Sequence, residues 1–162
     1  MQRFFHSELH DEFGTWPLGY FANGGPGVGV IAAVGAAVGR GDDSAYHEAW
    51  MTAGARFAAE ADACRNSVSA GRAWLWAAAC YATAYHPLYG APVDPRLVAA
   101  FRAQIAAFDE GLALRPHPVA PLRIPWQDTT LPAYLLPAVG REAERRPLVI
   151  LTNGYDATVT EM

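Results

Sequence analysis

Residues Asn153-Gly154-Tyr155-Asp156 follow four consecutive apolar residues, Leu148-Val149-Ile150-Leu151, two of them β-branched. Such a run predicts a strand buried on both faces in the middle of a parallel sheet. A glycine turn at the carboxyl end of that strand lies where ligands gather in open α/β sheets. Backbone amides aimed from the turn at a developing alkoxide would form an oxyanion hole, the strongest single aid to acyl transfer. A lone Asn-Gly after a strand is also a common tight turn. From these residues alone the two readings stand level.

Other chemistry-bearing residues are weaker. Gly24-Gly25-Pro26-Gly27-Val28-Gly29 has the glycines of a phosphate-cradling loop, but no strand precedes it and no Gly-Lys-Ser/Thr comes after, so it reads as a connector. The histidines His6, His10, His47, His86 and His117 are scattered. His6 and His10 share i, i+4 spacing without the intervening Glu of a zinc-protease helix, and no metal site is expected. Asp11 and Glu12 read as exposed acids without a partner for acid–base work. Cys64 and Cys80 fall in alanine-rich stretches and read as small buried hydrophobes in a reducing compartment.

Composition bounds the classes. The 162 residues are 52% hydrophobic and 12% aromatic, which is enough for a real core. A net charge of -4 with no basic stripe argues against nucleic acid and against anionic lipid. The N-terminus turns acidic at once and lacks the apolar core of a signal peptide. The weakly polar run from Val28 to Gly39 is too short and too glycine-rich to span a bilayer. These features predict a cytoplasmic protein with no membrane partner.

The elements that must hold the turn divide near Arg115-Pro116-His117-Pro118. Before it, helical periodicity dominates. Residues from Phe4 to Pro26 show no period and read as an irregular arm. A short helix is expected over Val28 to Val38, ended by Gly39-Arg40-Gly41. Asp42-Asp43-Ser44 then caps a helix with Tyr46, Ala49, Trp50, Ala53, Phe57, Ala61 and Cys64 inward, and His47, Glu48, Arg56, Glu60 and Asp62 outward. A third helix spans about Ser69 to Tyr85 and ends at Pro87. The fourth starts at Asp94 with Pro95 at its first position and buries Leu97, Phe101, Ile105, Phe108 and Leu112.

After the division, Val119 to Ile124 and Leu131 to Leu136 predict an antiparallel hairpin turning at Gln127-Asp128-Thr129-Thr130. Pro121 and Pro132 confine both strands to edge positions. The buried strand at Leu148 comes next, and Thr158-Val159-Thr160-Glu161 has the spacing of a capping box that opens a helix. A buried strand at a terminus would leave a hydrophobic edge and predict poor solubility. The expectation is therefore an N-terminal fragment of a longer protein, ending in the first turn of a strand–turn–helix unit.

Thr152-Asn153-Gly154-Tyr155-Asp156 and Cys80-Tyr81-Ala82-Thr83-Ala84-Tyr85-His86-Pro87 carry a resemblance that covers nearly the whole chain. The turn resembles the His-Gly-x-x oxyanion turn after the third strand of the α/β-hydrolase superfamily, with Asn in place of the commoner His. The hairpin looks like that fold's first two strands. The helical part is similar to the cap of the branch typified by 2,6-dihydroxypseudooxynicotine hydrolase and related to fermentation-respiration-switch-type esterases.

This resemblance implies an α/β-hydrolase fragment. An all-helical cap domain (residues 1–115) precedes the start of the catalytic α/β sheet (residues 116–162), with its first three strands. It implies serine chemistry on an ester, amide or activated carbon–carbon bond, with a small-molecule substrate and no cofactor. Gly154 and Tyr155 would form the oxyanion hole, the Tyr155 amide donating, with Asn153 and Asp156 completing the turn. Tyr85, His86 and Tyr89, with Tyr81, would contact substrate from the cap, although a core stripe ending in a polar helix terminus explains them as well. No Gly-x-Ser-x-Gly is present and the last serine is Ser69, so the triad is expected beyond Met162 and the piece alone should be inactive. Homo-oligomerisation is left open. The alternative is a stand-alone helical binding module that pairs with another chain through Leu148 to Thr152.

Overall fold

The computed structural model describes residues 3–23, 25–117, 119–140, 144–154 and 157–160. Helices α1 (Glu8–Gly14), α2 (Val28–Val38), α3 (Asp43–Ala63), α4 (Ser67–Ala84) and α5 (Pro95–Ala113) precede a hairpin of β1 (Ala120–Trp126) and β2 (Thr129–Leu135). Short 3-10 helices cover Trp16–Asn23 and His86–Leu88.

The helix boundaries arise from side-chain chemistry. Asp42 accepts from the backbone amides of Ser44 and Ala45, Asn66 from that of Ser69, and Asp94 from that of Arg96, which satisfies donors left open at each helix start. Gly39 ends α2 at φ 55, a conformation that L side chains rarely adopt. Helix α4 lies between α3 and α5, and α2 rests on α3. Close approach depends on small residues. A Cβ added at Gly54 would collide with the Tyr81 ring, so glycine lets α3 settle against α4.

The core is built from Trp50, Tyr46, Phe57, Ile31 and the closing half of α4, with Phe5 inserted from the N-terminus. Four expectations change here. Within the expected arm, residues 4–23 are ordered into α1 and a 3-10 turn, because Phe5 packs on Tyr46 and Trp50 and the Asp11 carboxylate accepts from the amides of Phe4 and Phe5. Asp11 is therefore a structural acceptor rather than a partnerless acid. His47 is buried, not solvated: its Nδ1–H donates to the Ala84 carbonyl at 3.1 Å and so joins α3 to the end of α4. The buried face of α5 is rotated relative to the expected stripe. Ala100, Gln104, Ala107 and Gly111 sit deepest, while Leu97, Phe101 and Ile105 are half-buried, because small residues allow the closer helix contact.

The hairpin forms in the expected place with Arg123 opposite Pro132 and Ile124 opposite Leu131, and Gln127 takes φ 50 in the turn. It touches the helices through Tyr134, which packs on Phe108 and donates to Asp109 at 2.6 Å. The third strand is not seen. Residues 147–154 have no regular secondary structure, and Leu148, Val149, Ile150 and Leu151 are 70–78% exposed. Among the described residues the sheet has two strands, so this run has no ladder neighbour to supply its hydrogen bonds.

Candidate active site

The closing half of α4 runs Ala77-Ala78-Ala79-Cys80-Tyr81-Ala82-Thr83-Ala84, and nearly every side chain in it is buried. A helix buried all round is central to its domain, and the residues at its end are held firmly. Tyr85, His86 and Tyr89 stand at that end. Tyr85 and His86 are buried and Tyr89 is 55% exposed. The His86 ring lies near-parallel to those of Phe13 and Tyr85, with centroids 4.7 Å and 5.3 Å away. Trp16 and Tyr89 meet it edge-on. Its Nδ1–H points to the Thr83 carbonyl. Phe13 and Trp16 come from the N-terminal segment, and no local pattern signalled their role because their contacts span about seventy residues of chain.

The second group lies on α5. Gln104 is fully buried, a position for which its isolated polar side chain had given no warning. Its carboxamide oxygen accepts from the Tyr85 hydroxyl at 2.8 Å. Its Nε2 donates to Thr158 Oγ1 at 2.8 Å and to Thr160 Oγ1 at 2.6 Å. The two threonine hydroxyls are 3.0 Å apart. Thr158 was expected to cap a helix, but here its hydroxyl serves this network, and residues 159–160 form a turn. Glu161 lies outside the described residues.

Asn153 leads from that network to the candidate turn. Its Nδ2 donates to the Gly154 carbonyl at 3.1 Å and also to the Ala157 carbonyl, which closes the bend on itself. Gly154 is exposed, and a Cβ there would meet open space. Among the described residues no neighbour requires the glycine. Tyr155 and Asp156 lie outside the described residues. Two groups far apart in sequence, Tyr85-His86-Tyr89 and Asn153-Gly154, are thus joined through Gln104, Thr158 and Ala157.

Tyr89 also borders an open concavity of about 650 Å³ whose polar rim includes Ser7, His10, Asp43, Ser44 and Arg96. These groups are paired with each other. His10 Nε2–H donates to Asp43 at 2.8 Å, Arg96 donates to Ser44 Oγ at 2.9 Å, and Ser7 Oγ accepts from the His10 amide. Both hydroxyls thus accept structural bonds. His6 and His10 separate, the first to Arg40 and the second to Asp43. Asp94 grips Arg96, whose guanidinium holds the carboxyl below the ordinary range. Burial pushes the Cys80 thiol up to about 12, against the weaker pull of Arg56, so it stays protonated and unreactive. Burial likewise raises the Tyr46 phenol well above its usual range. Among the described residues no cluster of three or more His, Cys, Asp or Glu side chains could hold a metal, and no helix is long and apolar enough to cross a membrane.

No protein-family model matches the chain. Curated relatives do. The chain is 31% identical over 165 residues to 20-hydroxy-prefusarin hydrolase of Gibberella moniliformis, covering 98% of this chain and 38% of that protein. It is 32% identical over 176 residues to hydrolase acrC of Aspergillus aculeatus, covering 98% of this chain and 40% of that protein. With α/β hydrolase gkaG of Penicillium citrinum it shares 28% identity over 151 residues, covering 90% of this chain and 35% of that one. The chain therefore spans about two fifths of the length of these relatives. The similarity supports a relationship to the α/β-hydrolase family.

Proposed function

We propose that the chain is the N-terminal part of a serine α/β hydrolase acting on an ester, amide or activated carbon–carbon bond of a small-molecule substrate. Residues 1–115 form the helical cap, and residues 116–162 begin the catalytic domain. The hairpin supplies its first two strands. Leu148–Leu151 becomes the third when neighbouring strands are present to complete its ladder. The Tyr155 amide serves as one oxyanion donor, Asn153, Gly154 and Asp156 shape the turn, and the cap offers Tyr85, His86 and Tyr89 on the substrate side. Of these, Tyr89 has the exposure needed for direct contact, and Tyr85 and His86 would set its position. The serine nucleophile and its partners lie beyond Met162, so this chain alone is inactive, and the chemistry needs no metal or organic cofactor.

One observation carries the reading: similarity to proteins named hydrolases runs through both the helical part and the turn, over 98% of the chain. The exposed Leu148–Leu151 run keeps a second reading in play, in which the helical unit is a binding module that pairs with another chain through this segment. A fluorophosphonate probe separates them. The hydrolase reading expects a frame that continues into a Gly-x-Ser-x-Gly, labelling of the extended protein and none of the 162-residue chain. Labelling of the short chain would show that the nucleophile is misplaced. A stop codon after Met162 would favour the binding module.

A further inference from the structure

We infer that Gln104 is the positioning residue through which the helical cap fixes the oxyanion turn. The inference rests on the hydrolase reading above, and it adds a role for a residue of the cap. A buried carboxamide is costly unless its groups are hydrogen-bonded. Gln104 has no exposed surface, and its neighbours on the buried face of α5, Ala100, Ala107 and Gly111, offer it no side-chain partner. It is satisfied by Tyr85 on one side and by Thr158 and Thr160 on the other, both of its N–H bonds being used. Thr160 is drawn down to 5% exposure although Leu148–Leu151, earlier in the same segment, lies in the open. The anchor at Thr158 and Thr160 is passed to the turn through Ala157, whose carbonyl accepts from Asn153.

Thr158 and Thr160, which follow the turn, are therefore held by the cap. An oxyanion donor acts only when its amide is aimed in advance, and small misplacements are costly. Because Tyr85 stacks on His86 and shares its hydroxyl with Gln104, the side of the cap proposed to face substrate and the threonines that follow the proposed turn are tied to one carboxamide. All of its partners are hydroxyls, which can donate or accept. A carboxylate at this position keeps the bond from Tyr85 and can accept from the threonines, but it gives up both N–H donors and buries a charge, whereas an aliphatic side chain makes none of these contacts.

The test uses protein expressed from its full reading frame, with Gln104→Leu, Gln104→Glu and, from the opposite end of the network, Thr160→Val. Turnover of p-nitrophenyl acetate is normalised to sites titrated with fluorophosphonate, and hydrogen exchange is measured in the peptide covering residues 152–160. The expected result for Gln104→Leu and Thr160→Val is a kcat per titrated site lower by about tenfold with KM within about twofold. Exchange in that peptide should rise, and Gln104→Glu, which keeps the Tyr85 bond, should lose less on both measures than Gln104→Leu. Wild-type kcat per titrated site together with wild-type exchange in Gln104→Leu and Thr160→Val would overturn the inference. If the wild-type protein neither turns over the ester nor labels, the hydrolase reading fails. The exchange measurement then decides by itself whether Gln104 holds the segment.

Discussion

The helical region and the region after it both contain long apolar runs, yet one buries them and the other does not. In α3, Tyr46 and Trp50 have no exposed surface, and Phe57 is 3% exposed. In residues 148–151 every side chain is at least 70% exposed. The difference lies in where backbone hydrogen bonds come from. A helix satisfies its own amides and carbonyls within one segment, so it needs neighbours only for its apolar face. A strand obtains its hydrogen bonds from adjacent strands, so its structure waits on chain that must be brought alongside. The hairpin, which carries its partner two residues away, forms; the single run Leu148–Leu151 does not.

The largest test of this contrast is in α3. Trp50→Ala should destabilise the helical unit by about 3–5 kcal/mol in a denaturant titration, because it opens a cavity that no neighbour can fill. A loss below about 1 kcal/mol would mean that the helices are not the cooperative core. Gly54→Val should cost about 1–3 kcal/mol, read as a lower Tm, since the added methyls meet the Tyr81 ring between α3 and α4. Asn66→Ala removes the cap of α4 and should cost about 1 kcal/mol by the same measurement. At the small end, Ile150→Asp in the 162-residue chain should change stability by less than about 0.5 kcal/mol, because the side chain is already in water. In the longer protein that substitution should be severe, and equal tolerance in both would break the comparison.

A pH experiment sharpens the same point at a helix start. The Arg96 guanidinium lowers the Asp94 pKa in the folded chain, so its ionised form is the one that stabilises. That contribution is present above the unfolded value of about 3.9 and is lost as pH falls through the lower folded value. Asp94→Asn should lower stability at neutral pH, where that contribution is present, and flatten the acid limb so that the two curves converge at low pH. An unaltered acid limb would remove Asp94 from the account.

Much of the helical region was legible. Asp94-Pro95, Asp42 and Gly39 mark boundaries within a residue of those observed, because capping and φ preference are local properties. Helix α1 was not legible, since its seven residues depend on Phe5 reaching the core and on Asp11 gathering two amides. His47 and Gln104 were missed for a related reason. Each looks like a surface residue until its partner, Ala84 or Tyr85 and the two threonines, is brought within hydrogen-bond distance.

For the candidate site, the sequence singled out Asn153-Gly154-Tyr155-Asp156 and Tyr85, His86 and Tyr89 as separate groups. It also determined the helix starts and stops and the hairpin, all of which depend on residues a few positions apart. Only the tertiary structure decided that the end of α4, Gln104 of α5 and Thr158 and Thr160 share one buried network. Only it decided that Leu148–Leu151 has no ladder partner among the described residues. Both depend on long-range partners, which local periodicity and capping do not specify.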